Sequence, residues 1–225
     1  MNFAHIVSHN LRSHATNMGM LTGFLGAEKN EDERGTIINM LKDATNSLND
    51  TVMHLNDIIN IKINAEEKMS QVNLFNTIST VKKNINQLLK KHKAKCTVRV
   101  PKNQVVKAIP AYLESILLNM FTNSLKYHDP ARPVCIEIES IEKDENVLVT
   151  FKDNGLGIDL KKFGDTLFEM YKTFHNNEDA IGIGLFITKN QVEAMNAKIE
   201  VESEVDVGTT FTLIFDTKKT IKTSL

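Results

Sequence analysis

Two narrow stripes of apolar positions at helical spacing run through the chain from Phe3 to about Lys62. The first stripe consists of Val7, Leu11, His14, Met18, Leu21 and Leu25. The second consists of Ile37, Leu41, Ala44, Leu48, Val52, Leu55 and Ile59. Steps of three and four residues place each set on one face of a helix, in the manner of an a/d seam. The pattern therefore predicts two helices, joined by a loop in the polar, glycine-bounded stretch 26–35.

A helical hairpin with two such seams buries little apolar surface by itself. Pairing with a second copy of the chain into a four-helix bundle would cover both stripes. We therefore expect residues 1–63 to form a homodimer.

Beyond a polar stretch predicted as a linker, residues 64–73, the pattern changes to a mixture of helices and strands. Predicted helices cover about 73–93, 111–127 and 184–195. Predicted strands cover about 96–100, 135–141, 147–152, 199–204 and 210–215. Long connections between helices and an antiparallel run of strands favour an α+β fold for residues 74–225, with helices on one face of a sheet.

Composition limits the function classes that this chain can serve. The 225 residues carry 27 Lys and Arg against 28 Asp and Glu. A net charge near zero argues against a general nucleic-acid binder. No apolar run approaches the roughly 20 residues of a membrane-spanning helix, so we expect a cytoplasmic protein without a membrane segment.

Two glycine loops in the second half carry candidate chemistry. Asp153 ends a predicted strand and is followed by Gly155 and Gly157, which would let the backbone approach a flat ligand beside a carboxylate. Gly182 and Gly184 open directly into a helix, whose free N–H groups can bind an anion. Each loop taken alone also occurs as an ordinary turn.

The helix that precedes these loops carries two amides and an ammonium group on one face. Asn119 and Asn123 are four residues apart, and Lys126 follows three residues later. Such groups can hold Mg²⁺ and phosphate oxygens. The order of this helix, the Asp–glycine loop and the helix-opening glycine loop is a more specific signal than any one of them.

On these residues the second domain resembles the catalytic ATP-binding domain of sensor histidine kinases, which has the Bergerat-type α/β sandwich fold. Residues 119–126 resemble the N box of that family, 153–157 its G1 box, 182–185 its G2 box, 168–171 with Phe174 its F box, and 208–210 its last glycine–threonine turn. In the first helix, Ser8-His9-Asn10-Leu11-Arg12-Ser13 resembles the H box of the dimerisation and histidine-phosphotransfer domain.

The resemblance implies the core of a two-component histidine kinase. His9 would be autophosphorylated from ATP and would pass the phosphoryl group to an aspartate of a response regulator receiver domain. His9 lies two residues past the seam residue Val7, so we expect it to face solvent. Asn10 and Arg12 complete the implied catalytic set, and a neutral Asn10 in place of the family's acid predicts slow autophosphorylation. The sensor domain is expected to lie outside this chain.

The resemblance also implies the contacts to nucleotide and metal. Asn123 would coordinate Mg²⁺ with support from Asn119, and Asp153 would accept a hydrogen bond from the adenine amine. The other implied nucleotide-binding residues are Lys126, Tyr127, Gly155, Gly157, Phe168, Gly182, Gly184, Leu185 and Thr210. Residues from about 163 to 180 would form a lid over the nucleotide.

Two other functions are compatible with parts of this pattern. Hydrolytic ATPases of the same fold use a glutamate at the position of Asn119 as general base, and an amide cannot take that proton. A catalytically weak or inactive phosphotransfer scaffold dimer is the second alternative, because Ala180 and Asn10 depart from the family's usual residues. The remaining box residues favour the kinase.

Overall fold

The computed structural model describes residues 3–63, 69–169 and 182–216. The chain divides into two compact units, Met1–Lys62 and Ile63–Leu225. Among the helices within the described residues, none combines the length and the apolar character needed to cross a bilayer.

The first unit is a helical hairpin. Helix α1 spans Phe3–Ala27 and helix α2 spans Glu31–Ile63. From Leu11 to Leu48, every predicted seam residue is buried or half-buried, and Leu21 and Ala44 are buried most deeply. Val52, at 39% exposure, departs from the stripe. Apolar side chains on other faces stay exposed, namely Met20, Phe24, Ile38 and Met40.

The connection between the two helices is shorter than the predicted loop. Helix α1 continues to Ala27 and α2 already begins at Glu31, so residues 28–30 join them. The Asn30 side chain accepts a hydrogen bond from the backbone N–H of Asp32 at 2.9 Å, which caps the start of α2. The acidic residues that follow favour a helix N-terminus, because they complement its dipole. Polarity alone favours a loop for these residues, which is why the predicted loop is too long.

The second unit combines helices with two sheets. Its elements in chain order are β1 Ser70–Asn73, α3 Leu74–Asn84, α4 Asn86–Lys91, β2 Lys95–Arg99, β3 Val105–Ala108, α5 Pro110–Lys126, β4 Cys135–Lys143, β5 Asn146–Asp153, α6 Leu160–Phe163, a 3₁₀ turn Gly164–Thr166, α7 Gly184–Ala194, β6 Lys198–Glu204 and β7 Gly208–Asp216.

Five strands form a mixed sheet in the order β2-β4-β5-β7-β6. These are the five predicted strands, but β2 runs parallel to β4, whereas the other neighbours are antiparallel as expected. Along β4 and β5, Ile136, Ile138, Val149 and Phe151 alternate with exposed or half-buried residues and are buried. Phe121 of α5 meets Phe151 edge to face, with ring centroids 5.0 Å apart. Helix α5 therefore packs directly on one face of the sheet, as an α/β sandwich requires.

The predicted linker extends too far. Its last four residues form β1, which pairs antiparallel with β3 in a separate two-stranded sheet. Residues 64–68 lie outside the described residues. Strand β3 was not expected, because four residues between two prolines give too short a pattern for periodicity to be read.

The long helix predicted for residues 73–93 is two helices. Helix α3 ends and α4 begins around Ile85, whose ψ of 14° is not helical. The flanking residues Asn84 and Asn86 have low helix propensity, which makes an interruption here inexpensive.

Candidate nucleotide-binding site

The site is built around the carboxylate of Asp153, the last residue of β5. One carboxylate oxygen accepts hydrogen bonds from the backbone N–H of Gly155 at 2.9 Å and of Thr209 at 3.3 Å. The other accepts from the Ser124 hydroxyl of α5 at 3.2 Å. Burial nevertheless raises the pKa of Asp153 above its ordinary value. Asp153 is therefore a desolvated hydrogen-bond acceptor, held in place by donors from α5, from its own loop and from β7.

The loop after Asp153 lies so close to its neighbours that side chains are excluded. A Cβ atom on Gly155 would lie 2.6 Å from the carbonyl oxygen of Tyr127. On Gly157, whose φ is +67°, it would lie 1.9 Å from the carbonyl oxygen of Glu204. Only glycine combines that φ with such an approach at low cost. Both G1 glycines predicted from the sequence are therefore required by backbone packing around the carboxylate.

Asn119 and Asn123 lie one helical turn apart on α5, and both are half-buried. The Asn119 amide nitrogen donates to the hydroxyl of Thr188 in α7 at 2.8 Å. Its amide oxygen faces Gly184, where a Cβ would lie 2.5 Å away. Asn119 thus joins α5 to the start of α7, and Gly184 is needed for that contact. Asn123 precedes Ser124, so its amide lies at the end of α5 that meets Asp153.

Helix α7 begins at Gly184 in a manner suited to an anion. Gly182 has a φ of +68°, and Ile183 at the N-cap provides no side-chain cap. The first N–H groups of a helix have no partner within the helix, and the helix dipole favours negative charge there. Leu185 lies in this first turn and is half-buried. The G2 residues therefore supply backbone donors rather than reactive side chains.

Three predicted contacts lie at the end of α5 and after the 3₁₀ turn. Lys126 is exposed, with its ammonium 5.9 Å from the ring centroid of Tyr127. Burial raises the pKa of the Tyr127 phenol. The Lys189 ammonium of α7 lies over the ring of Phe168, 5.5 Å from the ring centroid. Glu169 of the F box is exposed. The remaining F-box residues, and most of the predicted lid including Ala180, lie outside the described residues.

Thr209, the residue before the predicted nucleotide contact Thr210, reaches the carboxylate through its backbone N–H. Thr209 is buried, and its hydroxyl lies 2.8 Å from that of Ser203. Thr210 is the next residue of β7, so its side chain lies on the opposite face of the sheet. The contribution of Thr210 to nucleotide binding stays a prediction. Ser124 was also missed, although its position directly after Asn123 is a usable signal.

The predicted phosphoacceptor region forms part of α1. His9, Asn10 and Arg12 all lie within this helix, and the side chain of Arg12 is exposed. The side chains of residues 3–10 lie outside the described ones. The predicted orientation of His9 therefore stays a prediction.

Comparison with known proteins identifies the class that this site defines. Residues 108–219 match the family model of the histidine kinase-, DNA gyrase B- and HSP90-like ATPases. This range contains α5, the Asp153 loop, α7 and β7, which are the elements that build the site. The C-terminal unit belongs to this ATPase family and is a histidine kinase catalytic ATPase domain, preceded here by a helical region.

The individual relatives that this chain matches include histidine kinases. The histidine protein kinase SaeS of Staphylococcus aureus strain USA300 is 32% identical over 105 residues, which are 45% of this chain and 30% of SaeS. The chain thus matches less than a third of that relative's length.

Solved kinase structures share the fold of nearly the whole chain. The histidine kinase AdeS of Acinetobacter baumannii superposes with a TM-score of 0.71 at 16% identity, over 94% of this chain and 98% of that chain. Histidine kinase ThkA, solved in complex with response regulator protein TrrA, gives a TM-score of 0.73 at 17% identity, over 94% of this chain and 60% of that chain. The predicted order of helical hairpin and α/β sandwich is thereby confirmed as a fold.

Proposed function

We propose that the chain is a histidine kinase core that transfers the γ-phosphoryl group of ATP to His9 and then to an aspartate of a response regulator. The arrangement around Asp153 carries this proposal. A desolvated carboxylate, held by the closely packed glycine loop, suits the exocyclic amine of adenine. The start of α7, within reach of Asn119, suits the phosphates.

Mg²⁺ is the metal that fits the proposed nucleotide. Its preferred ligands are oxygens, and it is commonly held by one or two protein groups together with phosphates. The amide oxygen of Asn123, a half-buried residue, is the ligand that we propose. Bound Mg²⁺ would neutralise charge on the phosphates, while Asn119 keeps α5 and α7 in place through Thr188.

The proposed transfer needs no general base for water. An imidazole nitrogen of His9 forms the bond to the γ-phosphorus, the bond from that phosphorus to the β,γ-bridging oxygen breaks, and ADP leaves. The ring proton is lost to solvent or to a neighbouring acceptor. Asn119 cannot activate water, because its amide is not a base and already donates to Thr188.

The proposed partners follow from the hairpin and from the comparison with ThkA. The exposed apolar residues of α1 and α2 favour a homodimer through a four-helix bundle. A receiver domain is the proposed second partner, by analogy with the ThkA complex. ATP as substrate makes the cytoplasm the proposed location.

Incubation with γ-labelled ATP and Mg²⁺ tests the proposal. The wild type is compared with His9→Gln and with a matched control, His5→Gln, one turn earlier in the same helix. We expect label in the wild type and the control, lost in acid and stable in base, and none in His9→Gln. Equal labelling of His9→Gln would contradict the assignment, and nucleotide binding without any label would favour the scaffold alternative.

A further inference from the structure

A cationic side chain outside the family boxes contacts the Asp153 loop. Arg132 lies in the segment between α5 and β4 and is about one-third exposed, at 32% for its side chain. Its guanidinium donates through Nη2 to the carbonyl oxygen of Gly155 at 2.7 Å. Its Nε lies 3.3 Å from a carboxylate oxygen of Asp129, which makes an ion pair without the geometry of a hydrogen bond. Arg132 therefore links the segment after α5 to the loop after β5.

Arg132 contacts the residue whose backbone N–H holds the Asp153 carboxylate. The N–H of Gly155 donates to Asp153, while the carbonyl oxygen of Gly155 accepts from Arg132. The next N–H, that of Leu156, donates to the carbonyl oxygen of Tyr127 at 3.0 Å. The loop is thus fastened on both sides, and a shift of Gly155 would also shift a donor to Asp153.

A backbone hydrogen bond holds the Asp129 carboxylate in place beside Arg132. Its second carboxylate oxygen accepts from the backbone N–H of Ala131 at 2.9 Å. A guanidinium carries its donors and its charge in a planar fork, so it can donate to a carbonyl while it pairs electrostatically with a carboxylate. A lysine ammonium lacks this fork, so it would hold one of the two partners less well.

The same contact places a positive charge near the buried carboxylate. Ser124, Gly155 and Thr209 face Asp153 with neutral donors, and Arg132 is the charged group acting on it within the described residues. Burial raises the pKa of Asp153, and the Arg132 charge opposes that rise. Loss of the guanidinium would therefore loosen the loop and make the carboxylate easier to protonate.

We propose that Arg132 is a positioning residue for nucleotide recognition, which holds Gly155 through its carbonyl oxygen so that the Gly155 N–H keeps Asp153 oriented as an acceptor for the base. This inference rests on the proposed binding of adenine nucleotide. It assigns to the segment after α5 a role that the N, F, G1 and G2 boxes do not include.

The test compares Arg132→Met and Arg132→Lys with Arg99→Met in the full chain. Arg99 is a matched control, because it also bridges two partners, Glu137 and Glu139, but on the sheet strands β2 and β4. Affinity for ADP with Mg²⁺ is measured by calorimetry, and Tm by thermal unfolding. We expect Arg132→Met to weaken ADP binding by about tenfold or more, since a charged hydrogen bond is lost. Arg132→Lys should fall between that variant and the wild type, and Arg99→Met should stay within about twofold.

The pH profile distinguishes positioning from a merely structural role. ADP affinity is measured from roughly pH 5.5 to 8 for the wild type and Arg132→Met, so that titration of the ligand itself cancels. As the pH is lowered, we expect Arg132→Met to begin losing ADP affinity at a higher pH than the wild type, because its Asp153 is protonated more easily. Equal affinity of Arg132→Met and Arg99→Met, or weaker binding with an unchanged pH profile and a lowered Tm, would overturn the inference. Failure of the wild type to bind ADP would instead overturn the proposed function itself.

Discussion

The two units of this chain use apolar residues in different ways. In the hairpin, Leu21 and Ala44 are the buried apolar residues among the described side chains, while Phe24 and Met40 remain more than half exposed. The C-terminal unit has a continuous core, with side chains such as Phe121, Phe151, Phe215, Leu113 and Ile116 almost completely buried. The second unit therefore contains what it needs to fold, whereas the hairpin has apolar surface that a further chain could cover.

Glycines show the same difference. A Cβ atom added to Gly19, Gly23 or Gly35 of the hairpin would have no neighbour within 4 Å. At Gly157 and Gly208 of the C-terminal unit it would collide with backbone atoms at 1.9 and 2.1 Å. The hairpin glycines therefore weaken helices that packing must stabilise, while those of the C-terminal unit make the site's geometry possible.

The largest effect on stability is expected at Gly157, and it tests the difference between the glycines of the two units. Gly157→Ala introduces both a left-handed alanine and a collision with Glu204, so we expect a loss of about 3 kcal/mol or more in stability and loss of ADP binding. The matched control is Gly164→Ala in the same unit, where the nearest atom is 3.9 Å away. Denaturant unfolding measures both. Similar stability of the two variants would contradict the packing described here.

The next effect is expected at Asp153. Asp153→Asn keeps the shape but removes the charged acceptor, so ADP affinity should fall roughly ten- to a hundredfold. Because burial raises the pKa of Asp153, the folded state holds the proton more tightly than the unfolded state. The charged form of Asp153 therefore lowers the stability of the folded state. This loss of stability is absent below the pKa of the unfolded state and complete above the pKa of the folded state. The variant should therefore unfold at higher temperature than wild type at neutral pH, with the difference vanishing toward about pH 4.

A lowered Tm of Asp153→Asn at neutral pH would mean that the carboxylate stabilises the domain. That outcome would contradict the conclusion that burial of the charged Asp153 carboxylate lowers the stability of the domain.

A smaller effect concerns the hairpin surface. Phe24→Glu should weaken a homodimer by about tenfold or more, since burying a phenylalanine is worth roughly 1.5–3 kcal/mol. The control is Ile141→Glu, an exposed apolar residue at the end of β4. Light scattering at several concentrations should show a dimer for the wild type and the control. A monomeric wild type at micromolar concentration would refute the homodimer.

The smallest effect should have the opposite sign to that at Gly157. Gly35→Ala, in the first turns of α2, should stabilise the chain by about 0.5–1 kcal/mol, because alanine loses less backbone freedom on folding. Chemical unfolding provides the value. A destabilised Gly35→Ala would indicate that a neighbouring chain approaches this glycine closely.

Long and strongly patterned elements could be predicted from the sequence. The five sheet strands, the two hairpin helices and the helix with Asn119 all carry clear periodicity. The G1 glycines could be placed as well, because residue type and spacing alone indicate their backbone role.

What escaped prediction depends on contacts between distant residues. Strand β3 is defined by its pairing with β1, more than thirty positions earlier in the sequence. The contribution of Thr209 and Ser124 to Asp153, and the link from Arg132 to Gly155, arise only when three elements meet. Apart from the position of Ser124 next to Asn123, the local sequence pattern contains no information about such contacts.

Phosphopeptide mapping tests the central claim most directly. After incubation of the wild type with ATP and Mg²⁺, the chain is digested at neutral to basic pH and its peptides are analysed by mass spectrometry. We predict one phosphoryl group on the peptide that contains His9, located on the imidazole and lost on brief acid treatment. Phosphate on Ser8 or Ser13 of the same peptide, or ADP formation with no phosphopeptide at all, would contradict transfer from the Asp153 site to His9.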